Sequence, residues 1–194
     1  MRYGILVAFA TAVAVGCGGK TDVPAPARTP SGPPGQTPPS APADELGEEY
    51  DLGEYRIRPP KGFELKSDDK MPRGLGRLVV WQPADDLHSF SVAFITVPQG
   101  EGPATPKLTR ELGLPDGVTE YAETPGEPVT LADLAFERCT ARLAYRRSDT
   151  MMAGVVYSQG AGRTGVLIRY VGPAAGDDGL RRVADAAARS FRKT

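Results

Sequence analysis

A few side chains in this sequence have the chemistry to define a function: two cysteines, a single histidine, the adjacent aspartates at 68–69 and 85–86 and a row of arginines. Cys17 closes the run Ala14-Val15-Gly16-Cys17. Small residues at 14 and 16 admit a peptidase to the backbone, and a thiol in that place accepts a diacylglyceryl group, so lipidation of Cys17 is the expected chemistry. His88 follows Asp85-Asp86. A Ser-His-Asp relay would need Ser89 or Ser91, and neither lies in a nucleophile-elbow pattern, so no catalytic residue is assigned. Cys139 shares a strand face with Leu143 and Tyr145. A thiol buried there has a raised pKa and is inert, and lipidation of Cys17 leaves it no disulfide partner. Asp68, Asp69, Asp85 and Asp86 lack the ligand spacing of a calcium loop and are expected to be solvated loop charges. No metal and no cofactor is expected.

Arg138, Arg142 and Arg146 recur every fourth residue in an alternating segment, hence on one strand face, with Arg169 a candidate neighbour. At ~3.3 Å per residue they stand ~13 Å apart, a spacing suited to an acidic protein, lipid headgroups or a polyanionic wall polymer. The competing reading is a solvated strand face paired with nearby carboxylates. In a three-layered sandwich that face should be covered, so the row implies an edge strand or an incomplete helical layer.

The elements that position these groups begin with an address. Arg2 precedes an apolar run from Gly4 to Val15, within the usual ~7–15 residues of a signal core and short of the ~20 that span a bilayer. Residues 1–16 are therefore expected to be a lipoprotein signal peptide, and residues 17–49 a lipidated cysteine plus a disordered tether. Pro24, Pro26, Pro30, Pro33, Pro34, Pro38, Pro39 and Pro42 fall within that stretch, out of 19 prolines in the chain. Proline removes backbone donors and favours extended chain, which makes a semi-rigid spacer. Gly18, not Asp, follows the cysteine, which favours an outer membrane, facing the periplasm, if the host has one. The expected location is the cell envelope, outside the cytoplasm, with the membrane engaged through the lipid.

Residues 50–194 make one domain of ordinary size. The whole chain carries 23 basic and 24 acidic residues, a balance that excludes a general nucleic-acid binder. Phe90 to Val97 reads as a central buried strand and Arg77 to Trp81 as a companion. Ala135 to Arg147, Met151 to Ser158 and Arg163 to Val171 read as an antiparallel meander, with Ser148-Asp149 turning the first pair and Gln159-Gly160-Ala161-Gly162 the second. Pro106 to Leu112 reads as a short helix. A closing helix runs from Asp177-Asp178 to Arg192-Lys193, with Leu180 and Phe191 as anchors. The class is α+β: a mainly antiparallel sheet with flanking helices.

Three segments resemble the Mog1/PsbP-like family of α-β-α sandwich domains. Tyr55-Arg56-Ile57-Arg58-Pro59-Pro60-Lys61-Gly62-Phe63 is similar to its opening strand and Pro-x-Gly-aromatic turn, Ala135 to Val171 to its long meander, and Ala187-Ala188-Arg189-Ser190-Phe191-Arg192 to its terminal helix. The likeness covers nearly the whole folded part. Family members include a nuclear-transport GTPase partner, an accessory subunit of the photosynthetic water-splitting complex and many bacterial lipoproteins. The resemblance implies a binding or accessory protein, not an enzyme, with no residues that transfer either specific surface. The expected role is an envelope lipoprotein whose domain binds a protein or polyanion. The alternatives are an envelope hydrolase, marked by a cleft holding His88 with Ser and Asp, and a structural subunit of a membrane complex.

Overall fold

The computed structural model describes residues 45–194 except 72, 73, 86, 147 and 175–177. The expected signal peptide (residues 1–16), Cys17 and the proline-rich segment to residue 44 lie outside the described residues. Glu45 to Glu49, grouped with the tether by composition, belong to the domain: Leu46 forms a β-bridge with Pro60 and packs on the core.

Alternation and branching decide the sheet. β5 (Ser89–Thr96) is apolar on both faces because it is central and covered on both. Its neighbours are β4 (Gly76–Gln82) and β10 (Thr164–Pro173). Outward from β4 lies β3 (Glu64–Lys70). Outward from β10 lie β9 (Ser148–Ala161), β8 (Leu134–Tyr145) and β6 (Val118–Glu123). β7 (Glu127–Leu131) shares β8's outer edge with β6, the two pairing with successive halves of that long strand. All these pairings are antiparallel.

Each face of this eight-stranded sheet has its own core. On one, Val79, Trp81, Phe90, Val92, Phe136, Tyr157, Ile168 and Tyr170 meet Ala184, Ala187 and Ala188 of α2 (Asp178–Arg189). A small sheet covers the same face, formed by β1 (Tyr50–Asp51), β2 (Tyr55–Ile57) and β11 (Arg192–Lys193) in the order β1-β2-β11. Phe191 leaves α2 to bury its ring, which stabilises the fold by about 2–3 kcal/mol. On the other face Ala93, Ile95, Cys139, Ala141, Leu143, Val156 and Leu167 lie beneath α1 (Pro106–Leu112).

α1 forms where the sequence places it. The Thr105 hydroxyl accepts from the Leu108 amide at 3.1 Å, Pro106 sits in the first turn, and Gly113 ends the helix. It approaches the sheet closely because two cross-strand partners beneath it, Gly160 and Gly165, have no side chain. A Cβ on Gly165 would stand 2.3 Å from Thr109 Oγ1, and one on Gly160 2.6 Å from the Ala104 carbonyl.

Several expectations are corrected. The closing helix stops at Arg189, because the Ser190 hydroxyl donates to the Ala187 carbonyl at 2.6 Å and accepts from the Arg58 amide at 2.8 Å. Arg192 and Lys193 are strand, paired with β2. Leu180's side chain lies outside what the structure describes. The second meander turn is Gly162-Arg163, with Gly162 at φ 59°, so the strands run on through Gln159 to Ala161. Ser148 already belongs to β9, and Arg146 occupies the turn before it. β3, β6 and β7 join the sheet although their sequences are mostly polar and exposed.

Candidate functional site

The core face facing α2 and the small sheet is not covered to its end. Arg77, Phe94, Val166 and Gln159 are successive cross-strand partners on β4, β5, β10 and β9, so they form one row across the sheet. Thr96, Thr164 and Ala161 form the next row out. The small sheet reaches the first of these rows, where Tyr55 stacks on Phe94. The result is a groove of about 960 Å³, walled by the β3–β4 hairpin on one side and by Leu134 and the β9–β10 hairpin on the other, beneath Glu54 and Tyr55. Tyr55 stacks on Phe191 at 4.7 Å and on Phe94 at 6.0 Å, joining the groove's floor to the core. Such a volume lies at the upper end of the roughly 300–1,000 Å³ typical of ligand clefts.

Gly76 starts β4 inside this groove at φ 133°, and a Cβ there would stand 1.8 Å from the Phe94 carbonyl. Only glycine fits. One residue on, Arg77 binds Asp68 with both arms of its guanidinium, Nε to Oδ1 and Nη2 to Oδ2, each at 2.7 Å. Its remaining nitrogen, Nη1, donates to the Leu52 carbonyl at 3.0 Å, and the Tyr50 hydroxyl donates to Asp68 Oδ2 at 2.7 Å. This latch holds the small sheet against the groove wall. The Arg77 hydrogen bonds keep the Asp68 carboxyl below the usual carboxylate range, and the bond to Asp68 pushes the Tyr50 phenol up. Asp68 and Asp69 are thus strand residues, not loop charges.

A second polar cluster lies under α1. Arg110, 5% exposed, donates from Nε and Nη2 to the Glu123 carboxylate at 2.8 and 2.9 Å, and from Nη1 to Glu137 at 3.1 Å and Ser158 Oγ at 2.6 Å. Tyr121 Oη adds a bond to Glu123 Oε2 at 2.5 Å. Burial alone would raise the Glu123 carboxyl, but the bonds from Arg110 and Tyr121 outweigh it and hold the carboxyl low. Every member is bonded to another, so the cluster fastens α1 and β6 to the sheet.

The arginines divide. Arg138 binds Asp185 of α2, Nε to Oδ1 at 3.2 Å and Nη2 to Oδ2 at 2.9 Å, and its guanidinium lies 6.0 Å from the centre of the Tyr157 ring. Arg142 is exposed on β8, while Arg146 lies beyond the strand's end in the turn, also exposed. A register irregularity between Leu143 and Tyr145 breaks the alternation just before it. The three therefore do not form a straight row, and the face is covered at Arg138 but not at Arg142. Arg169 donates to the Gly113 carbonyl at 2.8 Å, closing the C-terminal end of α1.

His88 lines a separate cleft of about 300 Å³ with Gln82, Leu87, Ser89, Tyr145, Thr150, Met152 and Val171. Its Nδ1 is 3.0 Å from Asp85 Oδ2, and its ring stacks on Tyr170 at 6.2 Å. No hydrogen bond joins Ser89 to the ring, which is the contact nucleophile activation requires. Asp86 lies outside the described residues. Cys139 is buried, and burial pushes its thiol up to about 11. Neither the groove nor the Arg110 cluster was among the sequence-derived candidates. Asp68 reads from sequence as a solvated loop charge and Arg77 only as the start of a strand, while Arg110 falls within the short helix with no role assigned.

No family model matches the sequence, and no curated protein matches it. The fold is nevertheless recognisable among solved structures: it is of the PsbP/Mog1-like kind, an antiparallel sheet with helices on both faces. The solution structure of the cyanobacterial PsbP protein CyanoP from Synechocystis sp. PCC 6803 is similar over 86% of this chain and 100% of its own, with TM-score 0.55 and 14% sequence identity. A crystal structure from Bacteroides thetaiotaomicron is similar over 76% of this chain at 10% identity and TM-score 0.49. The chain spans about half of that protein's length, 48%. No helix among the described residues is long and apolar enough to cross a membrane.

Proposed function

We propose that this domain is a non-catalytic accessory module that captures a partner in the groove between Tyr55 and the β3–β4 and β9–β10 hairpins. It would work in the cell envelope, outside the cytoplasm, tethered by residues 18–44 to a membrane through acylated Cys17. The observation that carries the reading is the open end of the core face. The core face ends in a groove where Phe94 and Leu134 are half-buried and Tyr55 stacks on Phe94, and charged residues line the opening. Concave apolar surface with a polar rim is how binding sites look, and accessory proteins of this fold class make the reading coherent. Arg142 and Arg146, at the far end of β8, offer a further contact for an anionic partner. The hydrolase alternative lacks an activated nucleophile at His88.

Photocrosslinking in intact cells tests the groove. A photoreactive side chain at Thr96 or Thr164 should trap the same discrete partner, while one at exposed Lys61, outside the groove, should not. Identical or empty patterns from all three positions would remove the groove from consideration. The anchor is tested separately with radiolabelled palmitate: wild type should carry label and Cys17→Ser should not. An unlabelled wild-type chain overturns the anchor and leaves the groove untouched.

A further inference from the structure

In an Asp-Gly dipeptide the aspartate is most open to attack by its own chain, because the next residue has no side chain to shield its amide. The sequence has this dipeptide at 116–117 and at 178–179. The fold gives the two different settings. Asp178 and Gly179 open α2, where the backbone is held helical. Asp116 and Gly117 are exposed in the turn between α1 and β6. Gly117 has φ 84° and nothing within 4 Å of the place a Cβ would take. Its amide has no acceptor among the described residues. The Asp116 carboxylate has no bonded partner among them either, although it shares a cleft of about 350 Å³ with Tyr145 and Arg146. The bonds that hold this loop lie to either side. Arg169 Nη1 donates to the Gly113 carbonyl at 2.8 Å, and the Arg146 amide to the Gly117 carbonyl at 2.9 Å.

We infer that Asp116 is a site of spontaneous backbone isomerisation, whose product is a substrate for an isoaspartyl methyltransferase. The Gly117 amide nitrogen bonds to Cγ of the Asp116 carboxylic acid. The Cγ–OH bond breaks, and the hydroxyl leaves with the amide proton as water. The five-membered succinimide so formed reopens when water adds to either of its carbonyls. Addition at Cγ restores aspartate. Addition at the Asp116 main-chain carbonyl carbon leaves the chain running through Cγ, with a free α-carboxylate. That carboxylate takes the methyl group of S-adenosylmethionine, releasing S-adenosylhomocysteine. Isomerisation itself changes neither mass nor charge, but one methylene has entered the main chain directly ahead of β6 and beside exposed Arg146. The attack requires rotation about the Asp116 Cα–C bond. The free Gly117 amide and the open space around it permit that rotation, whereas at Asp178 the same rotation would break the first turn of α2.

The test ages the purified full chain for several weeks at neutral pH, well below its thermal midpoint. Isoaspartyl methyltransferase and radiolabelled S-adenosylmethionine are then added. Label should map to the peptide holding Asp116 and not to the one holding Asp178. Asp-N protease, which cuts before aspartate, should lose its cleavage at Asp116 in the same fraction of molecules. Asp116→Glu, whose attack would have to close a six-membered ring, should lose the label. Position 116 is exposed and unbonded, so an unchanged thermal midpoint shows that this variant is folded. A chain aged in urea should carry label at both dipeptides, because the helix no longer protects Asp178. Label absent from Asp116 in the native chain, label equal at Asp116 and Asp178, or label persisting at position 116 in Asp116→Glu overturns the inference.

Discussion

Arg138 on β8 and Asp185 on α2, 47 residues apart, form a two-armed ion pair, and Tyr157 adds a hydrogen bond to the same carboxylate at 2.5 Å. That contact decides what the arginines can do. It sets α2 against the sheet and removes Arg138 from the surface charge, leaving Arg142 and Arg146 as solvent-facing cations. The Asp185 hydrogen bonds hold the Arg138 guanidinium firmly protonated.

The two classes of arginine should separate in stability. Arg138→Met strands Asp185 beside Tyr157 in a half-buried position, a loss of about 2 kcal/mol, and the thermal midpoint should fall by about 4–8 °C. Arg142→Ala should stay within about 0.5 kcal/mol of wild type. Equal losses in thermal melts of the two variants would show that the pair does not bind α2 to the sheet.

Acid should unfasten α1 and the small sheet. The Glu123 and Asp68 carboxyls titrate lower in the folded chain than in the unfolded one. Their contribution is complete above the unfolded value, about pH 4.5, and is lost as pH falls through the folded values. Urea midpoints should therefore drop between about pH 5 and pH 3. Glu123→Gln should be less stable than wild type at pH 7 and show a smaller drop on acidification. A parallel pH profile in that variant would exclude Glu123 as a source of the acid response.

How much of this was legible in sequence follows from where each signal resides. β5 and α1 carry theirs locally: an apolar run, or a capping threonine with a proline and a terminal glycine. β3 and β6 do not, because an edge strand faces solvent and its residues, such as Asp68 and Glu120, are those of a loop. Arg110 could not be read as a core residue, since its partners Glu123 and Glu137 lie 13 and 27 residues away. The groove is still less visible, being assembled from the ends of several strands. The one local trace of it is Gly76, whose reason appears only once Phe94 is opposite.

Glycines separate by what surrounds them. Gly76→Ala would place a Cβ 1.8 Å from the Phe94 carbonyl, a clash the paired backbone cannot relieve, and the loss should exceed about 4 kcal/mol. Gly117 also has a left-handed φ, 84°, but has open space around its Cβ direction. Gly117→Ala should then show the backbone term alone, about 1–2 kcal/mol. Urea denaturation of the two variants checks the contrast, and similar losses would mean that β4 can shift away from β5.

The thiol of Cys139 should make the domain weaker in mild alkali. Its folded pKa, about 11, lies above the ordinary cysteine value of about 8.5 because burial disfavours the thiolate. Between those values the unfolded chain has lost a proton that the folded chain keeps, so stability falls as pH rises, by up to about 3 kcal/mol across the window. Tyr121 and Tyr157 are also held above their ordinary value, which makes them further contributors only above about pH 10. The slope of the urea midpoint between about pH 8.5 and pH 10 therefore belongs to Cys139. In a Cys17→Ser background, Cys139→Ala should flatten that slope whatever its effect at pH 7. The parent should react with Ellman's reagent only as fast as it unfolds. Rapid stoichiometric labelling of the native chain, or an unchanged slope in Cys139→Ala, would show that the thiol reaches water without unfolding.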